Sequence, residues 1–188
     1  MDRVYCYEGT NVLKNKLNIR DQNKLQAIER KLTSLRVLDL LEKPVRGLFD
    51  FKHLMEIHRY IFQDLYNWAG HIRIVDIAKG NMFCKAQFIQ SQADEIFTNL
   101  REDHYLEGLS QEKFAEKLAY YFSEINALHP FREGNGRTQR EFIRELALHN
   151  GFNLKFAKIT EQEMLEASID SFLCNYDKME TLFKKCLE

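Results

Sequence analysis

Only two prolines and eight glycines occur among the 188 residues. That scarcity excludes a turn-rich β fold and favours helix. The four cysteines, Cys6, Cys84, Cys174 and Cys186, form no CxxC pair and no metal-ligand spacing, so they read as free thiols of a reducing cytoplasm. An excess of charge is missing too. With 27 Lys and Arg against 28 Asp and Glu the net charge is −1, which argues against a nucleic-acid or membrane surface. No stretch approaches the roughly 20 apolar residues of a membrane span, and the opening MDRVYCYEGT lacks the apolar run of a signal peptide. Repeats, low-complexity stretches and linkers are also lacking. The expectation is one domain over residues 1–188, located in the cytoplasm. What the chain does have is 45% hydrophobic residues with 14 Phe and 8 Tyr, enough for one substantial core.

Apolar periodicity predicts a series of helices. Over residues 21–41, Leu25, Ile28, Leu32, Leu35 and Leu38 recur at steps of three and four. Pro44 and Gly47 interrupt, and a second helix is expected over residues 50–65, with Leu54, Ile57, His58, Ile61 and Leu65 on one face. His58 on that face reads as a hydrogen-bonded core residue. Residues 72–84 read as a short hairpin turning at Lys79-Gly80-Asn81, followed by a helix over residues 85–104. Ser110 is a candidate N-cap for the most apolar helix, which carries Phe114, Leu118, Tyr121, Phe122, Ile125 and Leu128. Pro130 ends it. The next helix is expected over residues 136–149, with Phe142, Ile143 and Leu146 inward and Asn150-Gly151 as its stop. Thr160 with Glu163 spells a capping box, and a last helix is expected over residues 177–186. The fold class is all-α with one small β-hairpin.

The chemistry concentrates in HPFREGNGRTQR, residues 129–140. Gly134, Asn135 and Gly136 open a helix, where free backbone N–H groups and the positive dipole end suit phosphates. Arg137 and Arg140, three apart on that helix, can point from one face at the anion, Arg137 by a two-pronged contact. Glu133 is the only acid of the loop and the candidate Mg²⁺ ligand beside a polyphosphate. His129, across the loop, is the candidate general base.

This string resembles the signature of Fic-domain enzymes, HPFx, then Asp or Glu, then GNGRxxR, at every fixed position. LYNWAGHIR at residues 65–73, DIAKGNMFCKAQFI at 76–89 and YEGTNVLKNKLNI at 7–19 extend the resemblance, the last to small bacterial Fic toxins that work with a separate antitoxin. The resemblance implies transfer of AMP from ATP, with Mg²⁺, to a hydroxyl side chain of a target protein. It implies that the hairpin is a flap docking the target, with Ile77, Lys79, Met82 and Phe83 as docking residues. It also implies DNA gyrase and topoisomerase IV as targets. Self-inhibited relatives carry Ser or Thr, three residues, then Glu followed by Gly or Asn. No such string occurs, because Glu8-Gly9 follows Val4 and Glu107-Gly108 follows Asp103 at the required distance. The inhibitory helix is therefore expected on a small antitoxin whose Glu meets Arg140. Transfer of UMP, GMP or a phosphoryl group, an inactive helical interaction module, and secretion into a host cell are the alternatives.

Overall fold

A computed structural model describes residues 2–188. Seven helices follow one another: α1 (Gln22–Glu42), α2 (Phe51–Phe62), α3 (Ile89–Glu102), α4 (Gln111–Leu128), α5 (Asn135–His149), α6 (Glu161–Ser171) and α7 (Asp177–Cys186). Between α2 and α3 lies the antiparallel pair β1 (Ala78–Lys79) and β2 (Asn81–Met82), in the register Ala78↔Met82 and Lys79↔Asn81. Gly80 makes the turn alone, at φ +79°.

The caps form as their side chains require. Asp21, Asp50 and Ser110 accept backbone N–H groups three residues on, and Thr160 with Glu163 closes both halves of its capping box. At the centre lies α4, in contact with α3, α5, α6 and α7. Phe114, Leu118, Tyr121, Phe122, Ile125 and Leu128 are all buried, as their spacing predicts, and Phe142, Ile143 and Leu146 of α5 meet them in one core. The four cysteines are free thiols.

Three expectations are corrected. Leu35 and Leu38 of α1 are 59% and 57% exposed. At 3.6 residues per turn Leu38 lies about 140° round the axis from Leu25, and the inward line instead runs through Leu25, Thr33 and Leu40. Helix α2 ends at Phe62 rather than at residue 65. The N-terminal segment takes the next carbonyls, with Lys16 N–H donating to Leu65 O (2.7 Å) and Lys16 Nζ to Gln63 O (2.6 Å). The helix expected from residue 85 begins at Ile89, after a 3-10 turn at Ala86–Phe88.

His58 is a core residue with both ring nitrogens bonded. Gly70 N–H donates to Nδ1 (2.8 Å), so the proton sits on Nε2, which donates to Glu133 O (3.0 Å). Burial pushes its pKa down from 6.5 to about 3. The folded chain therefore binds fewer protons than the unfolded one between those values. The resulting stability is complete above pH 6.5 and is lost as pH falls through that window. Thermal unfolding midpoints should drop from pH 7 to pH 5, above the carboxylate range. His58→Leu should lower stability at pH 7 by about 1–3 kcal/mol for the orphaned partners while flattening that drop. A gap between variant and wild type that is constant with pH would contradict a neutral His58.

Candidate active site

Helix α4 stops because His129 takes the left-handed conformation (φ +45°, ψ +59°), with its N–H still bonded to Ile125 O, and Pro130 cannot continue the ladder. The exit turns the imidazole away from the core axis but leaves it 8% exposed. Its Nδ1 lies 3.3 Å from Asn126 O. A carbonyl only accepts, so Nδ1 carries the proton and Nε2 keeps the lone pair. Burial, then the Lys79 ammonium, hold the pKa down to about 3 against the upward pull of Asn126 O, with a smaller downward push from the Arg73 guanidinium. His129 is thus a neutral imidazole at neutral pH, with Nε2 free to accept a proton.

Residues 129–134 are pinned from three sides. Asn135 spends its side chain on the loop, its Oδ1 accepting Phe131 N–H (2.9 Å) and its Nδ2 donating to Phe131 O (2.7 Å). The side chain thus shapes the loop, and the backbone of residues 134–136, which the sequence reading assigns to phosphates, is not used by these bonds. Phe131 stacks on His58 at 3.8 Å, and His58 holds the Glu133 carbonyl. Gly134 adopts φ +84°, and a Cβ there would stand 2.1 Å from Phe62 Cζ, so both backbone and space demand glycine. The turn leaves the first N–H groups of α5, those of Asn135, Gly136 and Arg137, without helical carbonyl partners and aimed outward, as an anion site needs.

The two arginines differ. Arg137 is already engaged: Nη2 donates to Glu29 Oε1 (2.5 Å), Nη1 to Thr33 Oγ1 (2.9 Å), and the guanidinium lies 4.7 Å over the Phe62 ring. Glu29 in turn accepts from the Tyr66 hydroxyl. A two-pronged phosphate contact by Arg137 must therefore share these donors, and Glu29, Thr33 and Tyr66 are site residues that sequence reasoning missed. The only signal was that α1 placed Glu29 and Thr33 four apart, on the side facing inward. Arg140 is the opposite case: among the described residues no carboxylate lies within 4 Å of it. Burial, and then Arg137's charge, pull its pKa down, while Glu161 opposes them. The Glu133 carboxylate lies 3.7 Å from Arg137 Nη2 and accepts Gly134 N–H (2.9 Å) through Oε1. Among the described residues no cluster of three metal-ligating side chains exists, and Glu133 is the carboxylate that the loop itself supplies.

A cavity of about 520 Å³ brings His129 and Arg140 together with Lys79 and Phe83 of the hairpin region and Met164 and Phe172 from the α6 end. Its size suits a small-molecule ligand. Lys79 and Met82 are exposed and Ile77 is half-buried, as docking residues can be. Phe83 departs from that expectation. It is buried with its ring stacked on His129 at 3.7 Å, so it buttresses the imidazole instead of facing a docked chain.

The Fic/DOC family model matches residues 48–147. The chain is 41% identical over 184 residues to the protein adenylyltransferase VbhT of Bartonella schoenbuchensis, covering 97% of this chain but 38% of that protein. It is 38% identical over 183 residues to the probable protein adenylyltransferase Fic of Escherichia coli, covering 96% of this chain and 90% of that one. Among solved structures, BepC of Bartonella tribocorum, crystallised with AMPPNP, superposes with a TM-score of 0.92 at 29% identity, covering 98% of this chain and 96% of that one. A Fic domain of a Bartonella quintana protein with bound ADP does so at 0.93, also at 29% identity, covering 98% and 94%.

Gly134→Ala should weaken nucleotide binding and lower the unfolding midpoint, because Phe62 blocks the methyl group. Gly151→Ala has similar φ but open space, and should cost only about 1 kcal/mol. Calorimetric titration with AMPPNP and thermal melts of the pair test this. Equal behaviour would remove the steric argument.

Proposed function

The chain belongs to the Fic/DOC family and is a protein adenylyltransferase, and from that premise we propose how its site works. ATP lies in the cavity with its phosphates against the amides that open α5, Arg137 meets the phosphates nearest the transfer, and Arg140 takes the terminal phosphate. Nucleotides in the Bartonella structures support ATP as substrate. The observation that carries the reading is one cavity containing a neutral His129 with Nε2 unprotonated and an Arg140 with no carboxylate partner.

The target's Ser, Thr or Tyr hydroxyl gives its proton to His129 Nε2 as its oxygen attacks the α-phosphorus. A new P–O bond forms, the bond from the α-phosphorus to the bridging oxygen breaks, and pyrophosphate leaves. The tautomer is fixed by Asn126 and the ring plane by Phe83, so the base needs no reorientation. Glu133 fits Mg²⁺ as its single protein carboxylate, since this ion takes one or two carboxylates and completes its shell with water and phosphate oxygens. Bound there, the ion would neutralise phosphate charge. The hairpin seats the target: its short exposed strands offer an edge to which a target segment adds as a strand.

We also propose that the chain acts in the bacterial cytoplasm as the toxin of a two-protein pair, with DNA gyrase and topoisomerase IV as targets. A groove beside the cavity supports a helical partner. It runs along Leu38 and Leu41 of α1 and reaches Arg140 and Arg144 at one side, so an amphipathic helix could bury leucines and bring a Glu to Arg140. No helix among the described residues is long and apolar enough to cross a membrane.

Incubation of lysate with α-³²P-ATP should label protein, whereas γ-³²P-ATP should not. His129→Ala should lose about 10²–10⁴-fold of the labelling rate while AMPPNP still binds. Label from the γ position would mean phosphoryl transfer, and label from neither would mean an interaction module. Deleting Leu38 and Leu41 side chains by alanine should leave labelling intact and abolish inhibition by a co-expressed small partner. Inhibition that persists would remove the groove from the reading.

A further inference from the structure

Arg73 is 1% exposed, and among the described residues no carboxylate lies within 4 Å of its guanidinium. A buried, uncompensated cation is costly and calls for a task. Its donors go to three backbone carbonyls instead. Nε donates to His129 O (2.8 Å), Nη1 to Val75 O (2.7 Å) and Nη2 to Cys84 O. Its own N–H donates to Pro130 O (2.9 Å). Val75 and Cys84 are the two stems of the hairpin, one on either side of the strands, and His129 is the residue at the exit of α4. Cys84 N–H is further tied to Ala127 O (3.0 Å) in the last turn of α4.

We propose that Arg73 is the positioning residue that locks the target-seating hairpin to the proton acceptor, so that the incoming hydroxyl and the His129 imidazole share one rigid frame. The inference rests on the reading of His129 as base and of the hairpin as target seat. Two strands of two residues each cannot hold a fixed position by their own ladder. The planar fork of one guanidinium reaches carbonyls of both stems and of His129 at once. An ammonium on a flexible stem has its donors about a single nitrogen and cannot span the three. The left-handed His129 backbone, which a β-carbon disfavours, gains a fixed carbonyl direction from the same contact.

The test compares wild type, Arg73→Lys and Arg73→Gln, with His129→Ala as a separate control of the underlying reading. Amide hydrogen exchange at residues 77–84 should accelerate in both Arg73 variants, while α4 and α5 keep their protection. AMPPNP affinity by calorimetry and the KM for ATP should stay within about twofold. The rate of α-³²P labelling of lysate protein should fall on the order of 10²-fold, the effect expected of a misplaced reactant. Wild-type labelling or unchanged hairpin exchange in Arg73→Lys would overturn the proposal. Loss of protection throughout α4 and α5, with loss of AMPPNP binding, would assign Arg73 to general stability and overturn it too. If His129→Ala labels like wild type, the reading of the base fails, and hairpin exchange still judges Arg73. Nitrogen-15 spectra of the wild type give a measure without mutation: separate, slowly exchanging Nη protons of Arg73 are expected, and a single averaged signal would refute the lock.

Discussion

Six residues, 129–134, must reverse the chain between two helices packed in one core, and at the same time present a base to the cavity and leave the start of α5 open. Everything at the site follows from how that loop is held. Backbone hydrogen bonds do little of the holding; side chains from elsewhere do most of it. Asn135 returns to Phe131, His58 reaches across from α2 to Glu133, and Phe131 lies flat on His58. The hydrogen bonds satisfy polar groups that would otherwise be buried unpaired and the stack fixes the ring, so the loop has one low-energy arrangement. The first α5 amides and the His129 lone pair are exempt from this bonding, and those are the groups the proposed reaction uses.

The division of labour on the ring systems is similar. Phe62 fixes Gly134 by leaving no space for a β-carbon and supports Arg137 by its face. Phe83 lies on His129. Two aromatic rings from sequence-distant elements thus set the orientation of the candidate base and of Arg137, without taking a hydrogen bond from either.

The helices were legible because capping and apolar spacing are local. Ser110, Thr160 with Glu163, and the run from Phe114 to Leu128 needed no tertiary knowledge. So was the core of the site, since His129, Glu133, Gly134, Arg137 and Arg140 lie within twelve positions. What escaped was set by distant contacts. Leu35 and Leu38 fit the helical spacing by residue type, yet α1 leans on the rest of the chain through only part of its circumference, and a helix at the edge leaves its outer leucines in solvent. Glu29 sits 108 positions from Arg137, and nothing near it marks the pairing. Phe83 read as a surface residue of an exposed hairpin, but its backbone lies one step beyond the strand, where the stem turns in toward α4. Arg73 closes a family-like segment but was not singled out there, because its contacts depend on the positions of three carbonyls.

The contrast between the two motif arginines has a consequence for selectivity. Arg137 enters the reaction with Glu29 already beside it, so its charge is largely balanced and its orientation set before substrate arrives. Binding an anion there gains little from charge alone and more from geometry. Arg140 is half-buried, and among the described residues no carboxylate lies within 4 Å of it, so an anion that reaches it gains the attraction of a partly desolvated cation. The site is therefore most sensitive to what carries negative charge at the Arg140 end. In the proposed two-protein reading, a terminal phosphate and a carboxylate from a docked helix would compete for the same guanidinium, and occupancy by one would exclude the other by charge and by volume. A balanced Arg137 beside an unbalanced Arg140 is thus the arrangement in which one added acid can stop nucleotide placement without altering the base, the loop or the hairpin.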